Sequence, residues 1–351
     1  MGVMRVATEA YRLPFQRTIT TARGAFTHRV GWILRLTMED GAVGVGDCAP
    51  WPGFGSSIAA VHTFLHDDAA LARAVHEPEA CPVPEVRSAL MTAIADISAR
   101  RAGLTMARFL DARSSNSAPV YKLVQDAIEA EEAMTAGFDT VKVKVGAADV
   151  DDDVARVFAI RRAIGNDAGL RLDANAAWTV TEAVRALTAM TDARIDLIEQ
   201  PVATIDGLRE VRLATGVRVA ADESVTDAES IERIVERRAA DLVVLKPAFL
   251  GGPAATVRLA AQAQEQGIGT IVTHALESAV GRALALHVAC VIMPQLAAGL
   301  VNVLADDIAE LDAPVLGCIH VPPQFGLGVI PANPSIASPV PTWGRRREER
   351  A

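Results

Sequence analysis

Two rhythms of apolar and polar positions divide the chain. From about Val3 to Val45 they alternate with period two between turn residues, as in TITTARGAFTHRVGWILRLTMEDGAVGVGD. Such alternation predicts antiparallel strands, with a hairpin at Glu39-Asp40-Gly41. After the loop CAPWPGFG, residues from Ala59 to about Leu110 read as helices. The clearest is VPEVRSALMTAIADISARRAG, opened by Pro84 and stopped by Gly103. The small polar stretch from Asp111 to Pro119 reads as a linker and marks a domain boundary.

Beyond it short apolar runs alternate with longer amphipathic segments, the pattern of repeated β-α units on a parallel sheet. Strands are predicted at 120–124, 140–145, 170–173, 197–200, 218–222, 242–246, 269–273 and 299–304. Eight parallel strands in about 190 residues predict a closed (β/α) barrel in preference to an open doubly wound sheet. No G-x-G-x-x-G follows the first strands, which counts against a dinucleotide fold.

Composition narrows the function classes. Half of the 351 residues are hydrophobic and only 4% aromatic, which suits helices packed closely around a buried sheet. A formal net charge of -9 argues against a nucleic-acid partner, and the dense basic run from Arg345 to Arg347 reads as a solvated terminal tail. The four cysteines, Cys48, Cys81, Cys290 and Cys318, form no C-x-x-C pair. Reduced thiols in a cytoplasmic protein are expected. No uninterrupted apolar segment reaches the roughly 20 residues that span a bilayer, so no membrane partner is expected.

In a parallel barrel the chemistry sits at the carboxyl ends of the strands. Strand two of the predicted barrel ends with Lys142 and Lys144, strand three with Asp173 and then Asn175, strand four with Glu199, strand five with Asp222 and Glu223, and strand six with Lys246. Lys142 and Lys144 project from one face, because side chains alternate along a strand. Carboxylates on three successive strands, roughly 4.8 Å apart, repel unless a cation neutralises them. An all-oxygen donor set suits Mg²⁺, with Mn²⁺ as an alternative ion. Taken singly, each acid reads equally well as an exposed or salt-bridged group; the series favours the metal. Pro247 keeps Lys246 extended as the last strand residue. Lys144 and Lys246 would then face each other across the barrel mouth, an arrangement suited to proton transfer at carbon beside a carboxylate. Lys142, one layer deeper, is expected to depress the pKa of Lys144 by its charge.

The segments KVKV, LDAN, IEQP, ADES and LKPAFLGG resemble the enolase superfamily, specifically its muconate-lactonizing branch. The intervals from Lys144 through Asp173, Glu199 and Asp222 to Lys246 are 29, 26, 23 and 24 residues, similar to the family's own spacing. The resemblance implies a (β/α)7β TIM-like barrel over 119–311 and an α+β capping domain over 1–118, completed by a segment from about 312 to 351. It implies Lys144 and Lys246 as the catalytic pair with Lys142 beside them, Asp173, Glu199 and Asp222 as Mg²⁺ ligands, and Asn175 and Glu223 just behind.

Two capping stretches, TTARGAFTHRVGWILRL and GVGDCAPWPGFG, and the barrel stretch THALESAVGRALALHVA resemble o-succinylbenzoate synthases. That enzyme dehydrates 2-succinyl-6-hydroxy-2,4-cyclohexadiene-1-carboxylate through a metal-stabilised enolate in menaquinone biosynthesis. The implied substrate is a small carboxylate, with Phe54 and Glu277 among the residues around it. Arg23, His28 and Arg29 are candidates to meet a succinyl carboxylate, Arg by its planar fork; for each, a surface charge on a hairpin is the alternative. Asp47 stands where the family usually has Glu, Ala176 where Gly is common, and Phe325 interrupts a usual P-G-L-G-V segment. The rivals are an N-succinylamino acid racemase, a dipeptide epimerase, and, from a different class, a non-catalytic barrel that binds a ligand. The epimerase usually carries D-x-D near the eighth strand, whereas LADDIAE has adjacent acids at Asp306 and Asp307. The family also allows a homo-oligomer.

Overall fold

The computed structural model describes residues 3–21 and 24–332; Arg23 and the basic run from Arg345 to Arg347 lie outside the described residues. The alternating opening forms an antiparallel sheet of β1 (Val3–Thr21), β2 (Gly24–Met38) and β3 (Val43–Cys48), in that order. The turn between β2 and β3 falls at Glu39-Asp40-Gly41, where Gly41 takes a positive φ. Four helices follow: α1 (Ile58–Leu65), α2 (Asp68–His76), α3 (Pro84–Arg101) and α4 (Met106–Leu110). Alternation along β2 divides its side chains between two cores. Trp32, Leu34 and Leu36 pack with Val86, Leu90 and Ile97 of α3. Ile33 shares a core with the barrel, as do Tyr11 of β1 and Val45 of β3. The sheet is therefore buried on both faces, and that is what seats it on the barrel.

A short strand, β4 (Ser117–Pro119), leads into the barrel. Seven parallel strands then alternate with seven helices: β5 (Lys122–Val124), α5 (Ala127–Thr135), β6 (Thr140–Lys144), α6 (Val150–Ile164), β7 (Gly169–Asp173), α7 (Val180–Ala189), β8 (Leu197–Glu199) and α8 (Ile205–Thr215). β9 (Val219–Ala221), α9 (Ala228–Arg237), β10 (Leu242–Leu245), α10 (Pro253–Glu265), β11 (Gly269–Val272) and α11 (Ala279–Val291) complete the series. Neighbours in the sheet are neighbours in sequence, from β5 to β11. β9 and β10 read as continuous apolar runs because helices cover the outside and side chains fill the inside.

The eighth predicted strand, 299–304, does not form. Ala298 bridges Val120 and Gly299 bridges Thr273, closing the ring between β11 and β5 over two residues. The chain then leaves the barrel: Val303 O accepts from Gln16 N, and Ala305 N donates to Pro14 O. The backbone groups that would have continued the strand are satisfied by β1 of the capping sheet instead. Asn302 turns the chain there, its side chain accepting from Leu304 N and donating to Leu304 O. After this excursion β12 (Cys318–His320) pairs with β4, and Leu327 N donates to Asp96 of α3. All four cysteines are free thiols. Among the described residues no helix is long and apolar enough to cross a membrane.

Candidate active site

A cavity of about 930 Å³ opens at the carboxyl ends of β5 to β11, with the capping sheet and the loop after β3 forming its far wall. Register brings the floor together. Lys144 pairs with Asp173 and Asp173 with Glu199, so one level across β6, β7 and β8 carries a cation and two acids. Asp222 follows β9 and Lys246 follows β10, and both line the cavity. The strand ends are tightly turned: Asn175, Ala176, Gln200 and Leu276 all adopt positive φ, an uncommon conformation for residues with a Cβ.

Each floor carboxylate has an ammonium partner. Lys142 Nζ lies 2.9 Å from Asp173 and 2.7 Å from Glu199, all three side chains being buried. Lys246 Nζ donates to Asp222 and sits 4.2 Å from the centre of the Phe54 ring. Lys144, whose side chain is 42% exposed, donates to Asn175 Oδ1 and stands 3.8 Å from Asp173. Asn175 Nδ2 donates to Glu223. The chain Lys144, Asn175, Glu223 thus runs from the mouth of the cavity to the floor.

Electrostatics follow from this pairing. Burial works against the charged form of Asp173, yet Lys142 and Lys144 outweigh it and hold the carboxyl down to about 2. Burial pushes Glu199 up to about 7 against the pull of Lys142, with repulsion from Asp173 and Asp222 adding to the rise. Burial also raises Asp222 and Glu223. Lys142 loses solvation by burial, but Asp173 and Glu199 more than compensate and keep it protonated. One expectation is corrected here: the charge of Lys142 is balanced by two carboxylates and is not a free neighbour acting on Lys144.

Asp173, Glu199 and Asp222 were also expected to converge on one cation. All three line the same cavity, each paired with Lys142 or Lys246, and among the described residues no three His, Cys, Asp or Glu side chains form a metal cage. Buried ammonium groups supply the counter-charge that these buried acids need. The donor chemistry still fits a hard divalent cation. The floor holds buried carboxylates that burial drives towards the neutral form, and Glu223 Oε2 is buried with no hydrogen-bond partner.

Of the residues expected around a substrate, Phe54 lines the cavity and stacks on Phe249, with ring centres 5.6 Å apart. Arg29 does not reach it. Its side chain is buried, donates to the carbonyls of Ala49 and Pro50, and lies 5.1 Å from the centre of Trp51. A guanidinium on a strand that faces the barrel is held by the nearest carbonyls, and so supports the loop instead of meeting a ligand. Glu277 is likewise buried behind the wall, accepting from Ala275 N. His28 is half-buried on the hairpin beside Arg12, outside the lining.

Sequence reasoning passed over three residues. Gln200 Oε1 accepts from the amides of Asp222 and Ser224, which fixes where Asp222 sits; its place directly after Glu199 was the available signal. Tyr121 lies under Lys142 with its ring centre 5.3 Å from Nζ, and nothing in its strand marked it out. His274 Nδ1 accepts from Leu276 N and its Nε2 faces Val301 O, so the ring braces the wall after β11.

Comparison with known proteins agrees with this geometry. Residues 125–334 match the family model described as Enolase C-terminal domain-like. The L-Ala-D/L-Glu epimerase of Bacillus subtilis is 30% identical over 311 residues, covering 82% of this chain and 85% of that one. The o-succinylbenzoate synthase of Mycolicibacterium smegmatis is 41% identical over 194 residues, 53% of this chain and 58% of its own. Among solved structures, the N-succinyl Arg/Lys racemase of Bacillus cereus superposes with a TM-score of 0.87 at 25% identity, over 95% of this chain and 96% of that one. A dipeptide epimerase from Cytophaga hutchinsonii, complexed with Mg and the dipeptide D-Ala-L-Val, gives 0.84 at 25% identity over 95% and 97% of the two chains. With a family model over more than half of its length and relatives and solved structures that match both barrel and cap, the chain belongs to the enolase superfamily, in its muconate-lactonizing branch.

Proposed function

We propose that this protein is a Mg²⁺-dependent lyase that forms 2-succinylbenzoate from the hydroxy-cyclohexadiene carboxylate bearing a succinyl arm. The observation that carries the reading is the floor of the cavity, where two lysines on opposite sides of the ring stand over three buried carboxylates beside an aromatic wall of Trp51 and Phe54, with Phe249 stacked behind Phe54. Identity of 41% to an o-succinylbenzoate synthase over about half the chain supports it. Mg²⁺ in a related dipeptide epimerase supports the choice of cation.

Asp173, Glu199 and Asp222 would hold the cation, which supplies positive charge to the substrate carboxylate as electron density builds on its oxygens. Lys144, at the mouth and held by Asn175, removes the α-proton from its neutral form and then protonates the departing hydroxyl. Lys246, paired with Asp222 and backed by the face of Phe54, stays cationic on the opposite wall. Tyr121, Phe54 and Trp51 exclude water from the planar ring of the substrate.

Racemization of N-succinylamino acids is the second reading, favoured by the Bacillus cereus racemase neighbour and by the two opposed lysines. Dipeptide epimerization is supported by relatives that cover most of the chain. Against it, Asp307 is committed to Arg282 and to the amide of Ala279, and Asp306 lies outside the cavity lining. Purified protein with Mg²⁺ and the cyclohexadiene substrate is expected to yield aromatic product, followed by ultraviolet absorbance. Fast α-deuterium exchange on N-succinylamino acids in D₂O without any dehydration would replace the first reading by the second.

A further inference from the structure

The wall of the cavity has two halves of different origin. The loop holding Trp51 and Phe54 belongs to the capping domain, whereas His274, Ala275 and Leu276 follow barrel strand β11. One buried side chain links them. Asp47, at the end of β3, accepts from Tyr11 Oη at 2.8 Å on one carboxylate oxygen. Its other oxygen accepts from Ser278 Oγ at 2.6 Å and from Ser278 N at 3.0 Å. Ser278 is the N-cap of α11, two residues beyond Leu276.

The surroundings are shaped to admit this carboxylate. A Cβ on Gly281, in the first turn of α11, would lie 3.1 Å from Asp47 Oδ2 and 2.4 Å from Cβ of Glu277. A Cβ on Gly31, the cross-strand partner of Tyr11, would lie 2.4 Å from Tyr11 Oη. Both glycines leave room that the bonded side chains fill. A carboxylate with three hydrogen bonds from two domains has little freedom to move without leaving donors unsatisfied.

We propose that Asp47 is a positioning residue that registers the capping domain on the barrel, setting the separation between the Trp51–Phe54 wall and the His274–Leu276 wall. It touches neither the floor lysines nor the carboxylates, so it acts on how the non-reacting part of the substrate is held. The kinetic arm of the test rests on the proposed lyase reading; the exchange arm does not.

The test is hydrogen–deuterium exchange on the full chain together with steady-state kinetics. In Asp47→Asn, amides of the 274–279 segment should exchange about tenfold faster while β6 to β10 stay as slow as in the parent. KM should rise about tenfold with kcat within about threefold. Asp47→Glu, which retains the carboxylate, should restore both, and Ser278→Ala should reproduce the Asn phenotype from the barrel side. Unchanged exchange at 274–279 in both Asp47→Asn and Ser278→Ala, or faster exchange spread evenly over the barrel, would overturn the assignment. Should the parent turn over neither the cyclohexadiene nor N-succinylamino acids, the lyase reading fails and the exchange data still decide the role of Asp47.

Discussion

Lys142 and Lys144 show how much one strand position changes a lysine. Lys142 is buried among two acids, Lys144 is 42% exposed beside Asn175, and both come from the same face of β6. Their removal should therefore fail in different ways. Lys142→Met leaves Asp173 and Glu199 buried without their shared counter-charge and should destabilise the fold by about 3–5 kcal/mol, measured by urea unfolding. Lys144→Ala should change stability little, retain Mg²⁺ binding by calorimetry and lower kcat by roughly a thousandfold. Substantial turnover in that variant would remove Lys144 from its role. The K-x-K spacing put both lysines on one face; which is the ion-pair partner and which meets solvent depended on the acids of β7 and β8.

At the scale of elements, local pattern and tertiary pairing agree except at one place. The helix opened by Pro84 spans Pro84–Arg101, and its close approach to β3 rests on two glycines. A Cβ on Gly46 would lie 2.0 Å from Ala89 O, and one on Gly44 2.1 Å from Ala93 O. Gly46→Ala should cost about 2 kcal/mol or more, read as a lower urea midpoint with an unchanged slope. A neutral result would mean that α3 can lift from the sheet without cost. The exception is the eighth strand. GLVNVL has the apolar composition of a strand, but a parallel strand and a segment paired to the cap look alike in sequence, because both satisfy their backbone through neighbours remote in the chain. Pairing with Pro14 to Gln16 took those residues out of the barrel.

For the whole molecule, His287 ties three parts together. Its Nδ1 accepts from Ala107 N of α4 and its Nε2 donates to Leu327 O of the C-terminal return, while the residue itself belongs to barrel helix α11. Burial lowers its pKa from the ordinary 6.5 to about 4. The unfolded chain thus takes up a proton near pH 6.5 that the folded protein refuses until about pH 4. Stability tied to this group is complete above pH 6.5 and is lost as the pH falls to about 4, a loss of about 3 kcal/mol. His287→Gln should flatten the stability profile over that window in urea titrations at a series of pH values. An equally steep profile in the variant would place the acid sensitivity elsewhere.

Periodicity of two and then of β-α repeats was enough to read a barrel with an α+β cap, and polar residues at regular strand ends were enough to mark the residues that line its cavity. Those features are local: alternation, strand length and Pro or Gly punctuation act over a few residues. The partners of the polar groups are not local. Arg29 and Glu277 carry the charges expected of a substrate site, yet the fold turns them to backbone groups behind the wall. Asp47, a departure from a familiar motif in sequence, becomes a link between two domains because Ser278 lies 231 residues away in the chain and 2.6 Å away in space. A residue's type limits what it can bond, whereas the packing of distant segments selects the partner, since a buried polar group takes whichever satisfied geometry the core leaves open.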